Sequence, residues 1–418
     1  MTRPPGAPAI VAESAHAMSF VGHTDLAGRG DALQVMVHRG HAYVGHFLSA
    51  GVSVVDVRDP RRPRPVNFLP VHPRCWSMHL QSHGDLLLVI EEFNFKAVLS
   101  QQEYYAHSIK GVDSTRFGVR GADFSAGMRV YDISDPASPR AIGFLDVQGL
   151  GLHRIWWVGD RYAYASAMID GYTDHILIVI DLVDPARPVE VGRWWMPGMW
   201  AAGGETMDMT GRVALHHAVV HGDTAYGCWR DGGLTLLDVS DKTAPRLIAH
   251  RNWSPPFAGG THSALPLPGR QLLVVADEAV LNIDQEPYKH TWVLDIRCPR
   301  NPVTIATFPV PCDQDYVAKG GHFGPHNLHE NRPGSFVSET VVFATYQNAG
   351  VRAFDLRNPF QPQEIGWWVP PPPALWMEPR RGRAKVVHTG DLYVDHDGLM
   401  YVSDYDAGLY IVQWQGTR

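Results

Sequence analysis

Several of the 22 histidines of this 418-residue chain stand at one recurring place. His79 (SMHLQ), His153 (GLHRI), His216 and His217 (LHHAV), His262 (THSAL) and His326 (GPHNL) sit at the opening of short apolar runs, with His388 (VVHTG) less regular. Imidazole is the commonest protein ligand for iron, copper, zinc and nickel. Two other apolar runs end in paired acids, Glu91 and Glu92 after LLLVI, Asp277 and Glu278 after LLVVA. A carboxylate behind a ligating imidazole accepts its second N–H and fixes the ring. The pattern therefore reads as a metal site, with His79, His153, His217, His262 and His326 as the ligand pool and Glu92 and Glu278 as orienters. That pool exceeds what one ion uses, so some members must orient others or face a substrate. Histidines at one station of a repeat also serve packing. Against that, the neighbours differ between copies while the histidine stays.

Other side chains near these stations are chemical candidates. His322 and His329 flank His326 in GGHFGPHNLHE, the densest histidine segment, and offer a further ligand or a general base. Glu205, in the GGE of residues 203–205, offers an acid/base if it reaches the same mouth; a surface carboxylate is the plainer reading. Arg154 and Arg230 would bind an anionic substrate, or pair with neighbours such as Asp170 and Asp231. His83, His221 and His396 fall in tight turns and read as solvent-exposed. No nucleophile elbow, P-loop, zincin helix or dinucleotide fingerprint is present.

A repeated phrase must position these groups. It reads VVDVRDP at 54–60, VYDISDP at 130–136 and VIDLVDP at 179–185, then LLDVSD at 236–241, VLDIRCP at 293–299, AFDLRNP at 353–359 and a truncated GLYIVQW at 408–414. Each copy is an alternating apolar strand closed by an Asp-Pro-type turn. Between the marker positions Asp56, Asp132, Asp181, Asp238, Asp295, Asp355 and Gln413 the spacings are 76, 49, 57, 57, 60 and 58 residues. A period of that length with all-β texture means one four-stranded sheet per repeat, hence an all-β, seven-bladed β-propeller. MSFVGH at 18–23 resembles the outer strands that follow the phrase elsewhere, such as RAIGFLDV and QEIGWW, and the last repeat lacks one. The expectation is ring closure by an N-terminal outer strand, with an arm over residues 1–17 and the propeller over 18–418. Innermost strands line the axis of a propeller, so the histidine stations converge there. Longer loops (93–124, 196–212, 254–261, 311–325, 369–387) all fall on the face where those strands begin, and their tryptophans offer an apolar cavity.

Composition narrows the class. Only 19% of residues are charged, which argues against long disordered tails. The net charge of −7 argues against non-specific nucleic-acid binding, and the basic run at 380–385 is short. No stretch is apolar enough for a membrane span or a signal peptide. Cys75, Cys228, Cys298 and Cys312 show no paired spacing, so buried reduced thiols and a cytoplasmic location are expected.

The AYVG of residues 42–45 followed by GVSVVDVRDPRRP at 51–63, and GMRVYDISDPASP at 127–139, resemble the LVIVD-repeat β-propeller proteins. The resemblance covers nearly the whole chain and implies the fold and little about activity. In layout alone the histidines are similar to propeller metalloenzymes such as the carotenoid-cleaving oxygenases, where four histidines hold iron with carboxylates behind them. The resulting expectation is one divalent ion, Fe(II) favoured with Cu or Zn as alternatives, serving an oxidoreductase on a small apolar or aromatic substrate. A metal-dependent hydrolase or lyase is the enzymatic alternative, and a non-catalytic scaffold that binds a protein or ligand on the built-up face is the other. The sequence leaves the oligomeric state open.

Overall fold

The structure is a computed structural model that describes residues 10–95, 111–282, 285–377 and 384–416. Residues 96–110 of the longest expected loop and 380–383 of the basic run lie outside the described residues. The chain is nearly all β, laid out as antiparallel meanders that follow the repeated phrase. The first is Ala32–His38, His41–His46, Gly51–Asp56 and Arg64–Pro70. Leu80–His83, Leu86–Phe93, Gly127–Asp132 and Arg140–Asp146 form the next, joined by an edge pairing to Gly149–Trp156, Tyr162–Ile169, Ile176–Asp181 and Val189–Trp194. A second joined pair runs from Val213–His221 to Arg246–Arg251 and from Thr261–Leu267 to Val303–Thr307. Val341–Thr345, Val351–Asp355 and Gln363–Val369 then pair in order. Their innermost neighbour is irregular, touching the sheet through a single bridge from Leu328 to Ala344.

Thr389–Val394, Leu399–Asp404 and Gly408–Trp414 are completed by Met18–Thr24 from the other end of the chain, with Met18 opposite Trp414. The N-terminal strand thus closes the array. Upstream of it, Ser14–His16 adds to the outer edge of Gln363–Val369, so the described end of the expected arm is docked on a sheet. The innermost strands pack side by side about an axis: Thr389–Val394 on Ala32–His38, that on Leu80–His83, then Gly149–Trp156, Val213–His221 and Thr261–Leu267.

Two local devices explain why the phrase repeats. Its first Asp accepts a hydrogen bond from the backbone two residues on, as Asp56 from Arg58, Asp132 from Ser134, Asp181 from Val183, Asp238 from Ser240, Asp295 from Arg297 and Asp355 from Arg357. Each is an Asx turn that reverses the chain between third and outer strands. The outer strands carry glycine where the neighbouring meander's turn presses in. A Cβ on Gly143 would lie 2.4 Å from the Pro185 carbonyl oxygen, and one on Gly22 would lie 2.1 Å from that of Pro60. Gly22 belongs to the closing strand and Pro60 to the first turn, so the same contact seals the ring.

Cys75 and Cys228 are buried as expected, whereas Cys298 and Cys312 are exposed. Both lie in segments that follow the apolar strands, where the chain has already left the core. Among the described residues no helix is long and apolar enough to cross a membrane.

Candidate metal centre

One small cavity lies where the innermost strands begin. Its polar wall is His79, His153, His216, His262, His326, Arg230 and Glu278; its apolar wall is Leu33, Phe47, Trp76, Met78 and Tyr405. It encloses about 30 Å³, room for an ion or a water rather than an organic molecule. Successive imidazoles touch. Ring centroids are 5.1 Å apart for His79 and His153, 5.0 Å for His153 and His216, 3.5 Å for the stacked His216 and His262, and 4.7 Å for His262 and His326. Among the described residues, three groups bring their donor atoms within 4.8 Å of one another: His79/His153/His216, Glu92/His153/His175 and His262/Glu278/His326.

The second hydrogen bond of each ring decides which nitrogen is available. His153 Nδ1 donates to Glu92 Oε2 at 2.9 Å, so its Nε2 keeps the lone pair. His216 Nδ1 donates to the carbonyl oxygen of His262 at 2.9 Å, with the same consequence. Nε2 of His262 and of His326 each lie 3.3 Å from an oxygen of Glu278, whose carboxylate is also gripped by Arg230. The other nitrogen of His262, Nδ1, is buried without a hydrogen-bond partner. A buried polar atom left unpaired costs roughly 1–3 kcal/mol, which a bound cation would offset. The residues present therefore fit a cation held by neutral imidazoles.

Electrostatics agree. Burial, reinforced by Arg154 and the neighbouring rings, pushes His79 well below the ordinary imidazole pKa. Burial likewise holds His216 and His262 well below it and His153 at about 4, the last in spite of Glu92. All four are neutral near pH 7, the form that ligates. Burial alone would raise the Glu92 carboxyl, but the charge of His175 and the hydrogen bonds from His153 and His175 overcome it and set it at about 2. Glu278 is likewise kept ionised by Arg230, His262 and His326 against burial.

His175 is the residue sequence reading missed. It contacts Glu92 with Nε2 and Asp174 with Nδ1, the latter at 2.7 Å, while Arg212 holds Asp174 from behind at 2.8 Å. Burial opposes its charge, yet the two carboxylates outweigh burial and raise its pKa. As an imidazolium it has no lone pair to give an ion. It falls outside the repeated station, ahead of a third strand, and its only sequence signal is the acid at Asp174.

The remaining expected site residues are placed as follows. His216, not its neighbour His217, joins His79 and His153. His217 points to the other side of the strand, 3.8 Å from Glu330 and against the ring of Trp156. Alternation of strand side chains forces that choice. His329 has both nitrogens engaged with backbone, Nε2 with the Phe336 carbonyl at 2.9 Å and Nδ1 with the Val394 N–H at 3.3 Å, which is a structural role. His322 lies beside His388, whose Nε2 accepts from its backbone N–H, and neither lines the cavity. Glu205 braces its own loop, accepting from the Gly198 and Trp200 N–H groups at 2.9 and 3.1 Å. Arg154 stands behind His79 instead of facing a substrate: it binds His79 Nδ1 at 3.2 Å, Asp391 at 3.1 Å and Glu330 at 3.1 Å.

A family model described as the LVIVD repeat matches residues 122–147 and 217–251, each spanning one copy of the phrase. Two solved structures resemble the whole chain. That of U3-55K is 8% identical, with 96% of this chain and 97% of that chain covered and a TM-score of 0.54. The β-propeller domain of Cps50 (Swd1) from Myceliophteria thermophila is 13% identical, with 93% and 98% covered and a TM-score of 0.52. Identities this low carry the fold alone. No curated protein matches.

Proposed function

Because the chain belongs to the LVIVD-repeat β-propellers, we propose that it is a metal-dependent enzyme built on the axial histidine cavity. His153 and His216, whose donor atoms lie together, would hold one divalent ion through Nε2, with His262 stacked on His216 as the next imidazole and His326 adjoining through Glu278. The observation that carries this reading is the pairing of a carboxylate-oriented His153 with a buried, partnerless Nδ1 on His262. An all-imidazole donor set without thiolate suits Fe(II) first, then Cu or Zn. Such an ion supplies Lewis acidity, and iron or copper adds redox capacity. The residues do the rest. Glu92 and the His262 carbonyl fix the ring orientations, and Glu278 holds Arg230 against the cavity. Phe47 stacks on Trp76 and on Tyr405, at 6.5 and 5.7 Å between centroids, and these rings keep bulk water out. This apolar wall favours a small apolar or aromatic substrate in an oxidative reaction, and the size of the cavity means that the wall must part to admit it.

Elemental analysis of the purified protein beside a His153→Ala, His216→Ala double variant tests the reading, with circular dichroism as the check on folding. About one equivalent of iron or copper, lost in a folded variant, is the expected result. Zinc instead would direct the search to hydrolysis or elimination. No metal after reconstitution would leave a binding scaffold.

A further inference from the structure

The donor-atom cluster that contains His79 is not chemically uniform. Arg154 is fully buried, and its guanidinium donates from one Nη atom to His79 Nδ1 at 3.2 Å and to Asp391 Oδ2 at 3.1 Å; the other Nη reaches Glu330 at 3.1 Å. A guanidinium carries donors only. The His79 Nδ1 it contacts must therefore present a lone pair, and in a neutral imidazole the single proton then sits on Nε2. A ring in that tautomer has no lone pair left for a metal. His153 and His216 are held in the opposite tautomer by acceptors at Nδ1, a carboxylate and a carbonyl. Three imidazoles within one cluster are thus sorted by their partners into two lone-pair donors and one N–H donor.

We propose that His79 is not a ligand of the ion but a fixed hydrogen-bond donor, its Nε2–H presented by Arg154 to an oxygen or anionic group bound in the cavity beside the metal. This rests on the metal reading above and assigns the class of species the site receives, a hydrogen-bond acceptor bound next to the ion. Arg154 is the positioning residue; Asp391 and Glu330 hold it in place. Replacing His79 removes a donor without removing a ligand, so its effects on the metal and on a bound anion should separate.

Three measurements test this. In metal-free protein labelled with ¹⁵N-histidine, long-range proton–nitrogen correlation spectra should show His79 as the Nε2–H tautomer and His153 and His216 as Nδ1–H. An Nδ1–H tautomer at His79 overturns the proposal whether or not the protein binds metal. Zn(II) titration should give the same stoichiometry, and affinity within about threefold, for wild type and His79→Gln, while His153→Ala loses tenfold or more. Loss of the ion in a folded His79→Gln variant overturns it. Azide binding to the Co(II)-loaded protein should weaken about five- to tenfold in His79→Ala and recover in His79→Gln; equal azide affinity in all three overturns it. Failure of the wild type to take up any ion counts against the metal reading itself, and the tautomer spectra still decide the state of His79.

Discussion

Glu92 lies between His153 and His175, one carboxylate oxygen on each ring, and the two rings are held in different states. The Nδ1 of His153 gives its proton bond to Oε2 at 2.9 Å, where Trp76 Nε1 also donates at 2.6 Å. Oε1 faces His175, which a second carboxylate, Asp174, keeps charged. One buried anion thus orients a neutral imidazole toward the cavity and balances an imidazolium behind it.

Substituting Glu92→Gln should uncouple both functions. Removing one partner of a buried ion pair costs about 3–5 kcal/mol, read as a lower urea midpoint at unchanged m-value. Ion affinity should fall about 10- to 100-fold. A stability loss below about 1 kcal/mol would show that Asp174 alone suffices for His175.

Metal-free protein should lose stability as the pH falls from about 6.5 toward 4. His79, His153, His216, His217, His262 and His329 are fully buried with pKa values held below the ordinary imidazole value, about 4 for His153 and His329 and about 3 for His217. The unfolded chain takes up their protons near pH 6.5 and the native state does not, so acid favours unfolding over that window. Asp277 and Asp404, raised to about 7, Asp391, raised to about 6, and the raised His175 oppose the trend. Among the large shifts, six lowered imidazoles stand against three raised carboxyls, which leaves a net loss. Urea unfolding at pH 7 and pH 5 measures it; a free energy that stays level or rises toward pH 5 would mean that these imidazoles are not neutral in the fold.

Gly143→Val should be costly although the position is on an outer strand. Its side chain would enter the backbone of the turn at Pro185 and Ala186, a form of overpacking worth about 1–3 kcal/mol or more. Differential scanning calorimetry checks this, with the exposed Val189→Ala as a control expected to change little.

Deleting residues up to Thr24 would strip the outer strand from Gly408–Trp414 and leave an unpaired edge. Exposed edges recruit other chains, so the truncated protein should self-associate in size-exclusion chromatography coupled to light scattering. A well-behaved monomer with unchanged stability would show that the closing strand is dispensable.

Much of this was legible without coordinates. The Asp of each phrase signals its own turn, because an Asx turn needs only that side chain and a backbone N–H two residues away. An orphan outer strand at one end matched a missing one at the other. Even the approach of Glu92 and Glu278 to the imidazoles was readable from their place at the ends of second strands. All of these depend on local chemistry or on a period, and a sequence displays both.

What only the tertiary structure decided is the state of each histidine. His216 and His217 are adjacent and chemically identical, and the side of the strand that faces the axis chooses between them. His329 and His326 share one segment, yet backbone groups from Phe336 and Val394 retire the first while Glu278 draws the second to the cavity. His79 and His153 occupy equivalent stations, but one meets a guanidinium and the other a carboxylate, brought there by strands 75 and 61 residues away. The proton on an imidazole goes where its neighbours demand it, and those neighbours are set by packing across the ring, which no local pattern encodes.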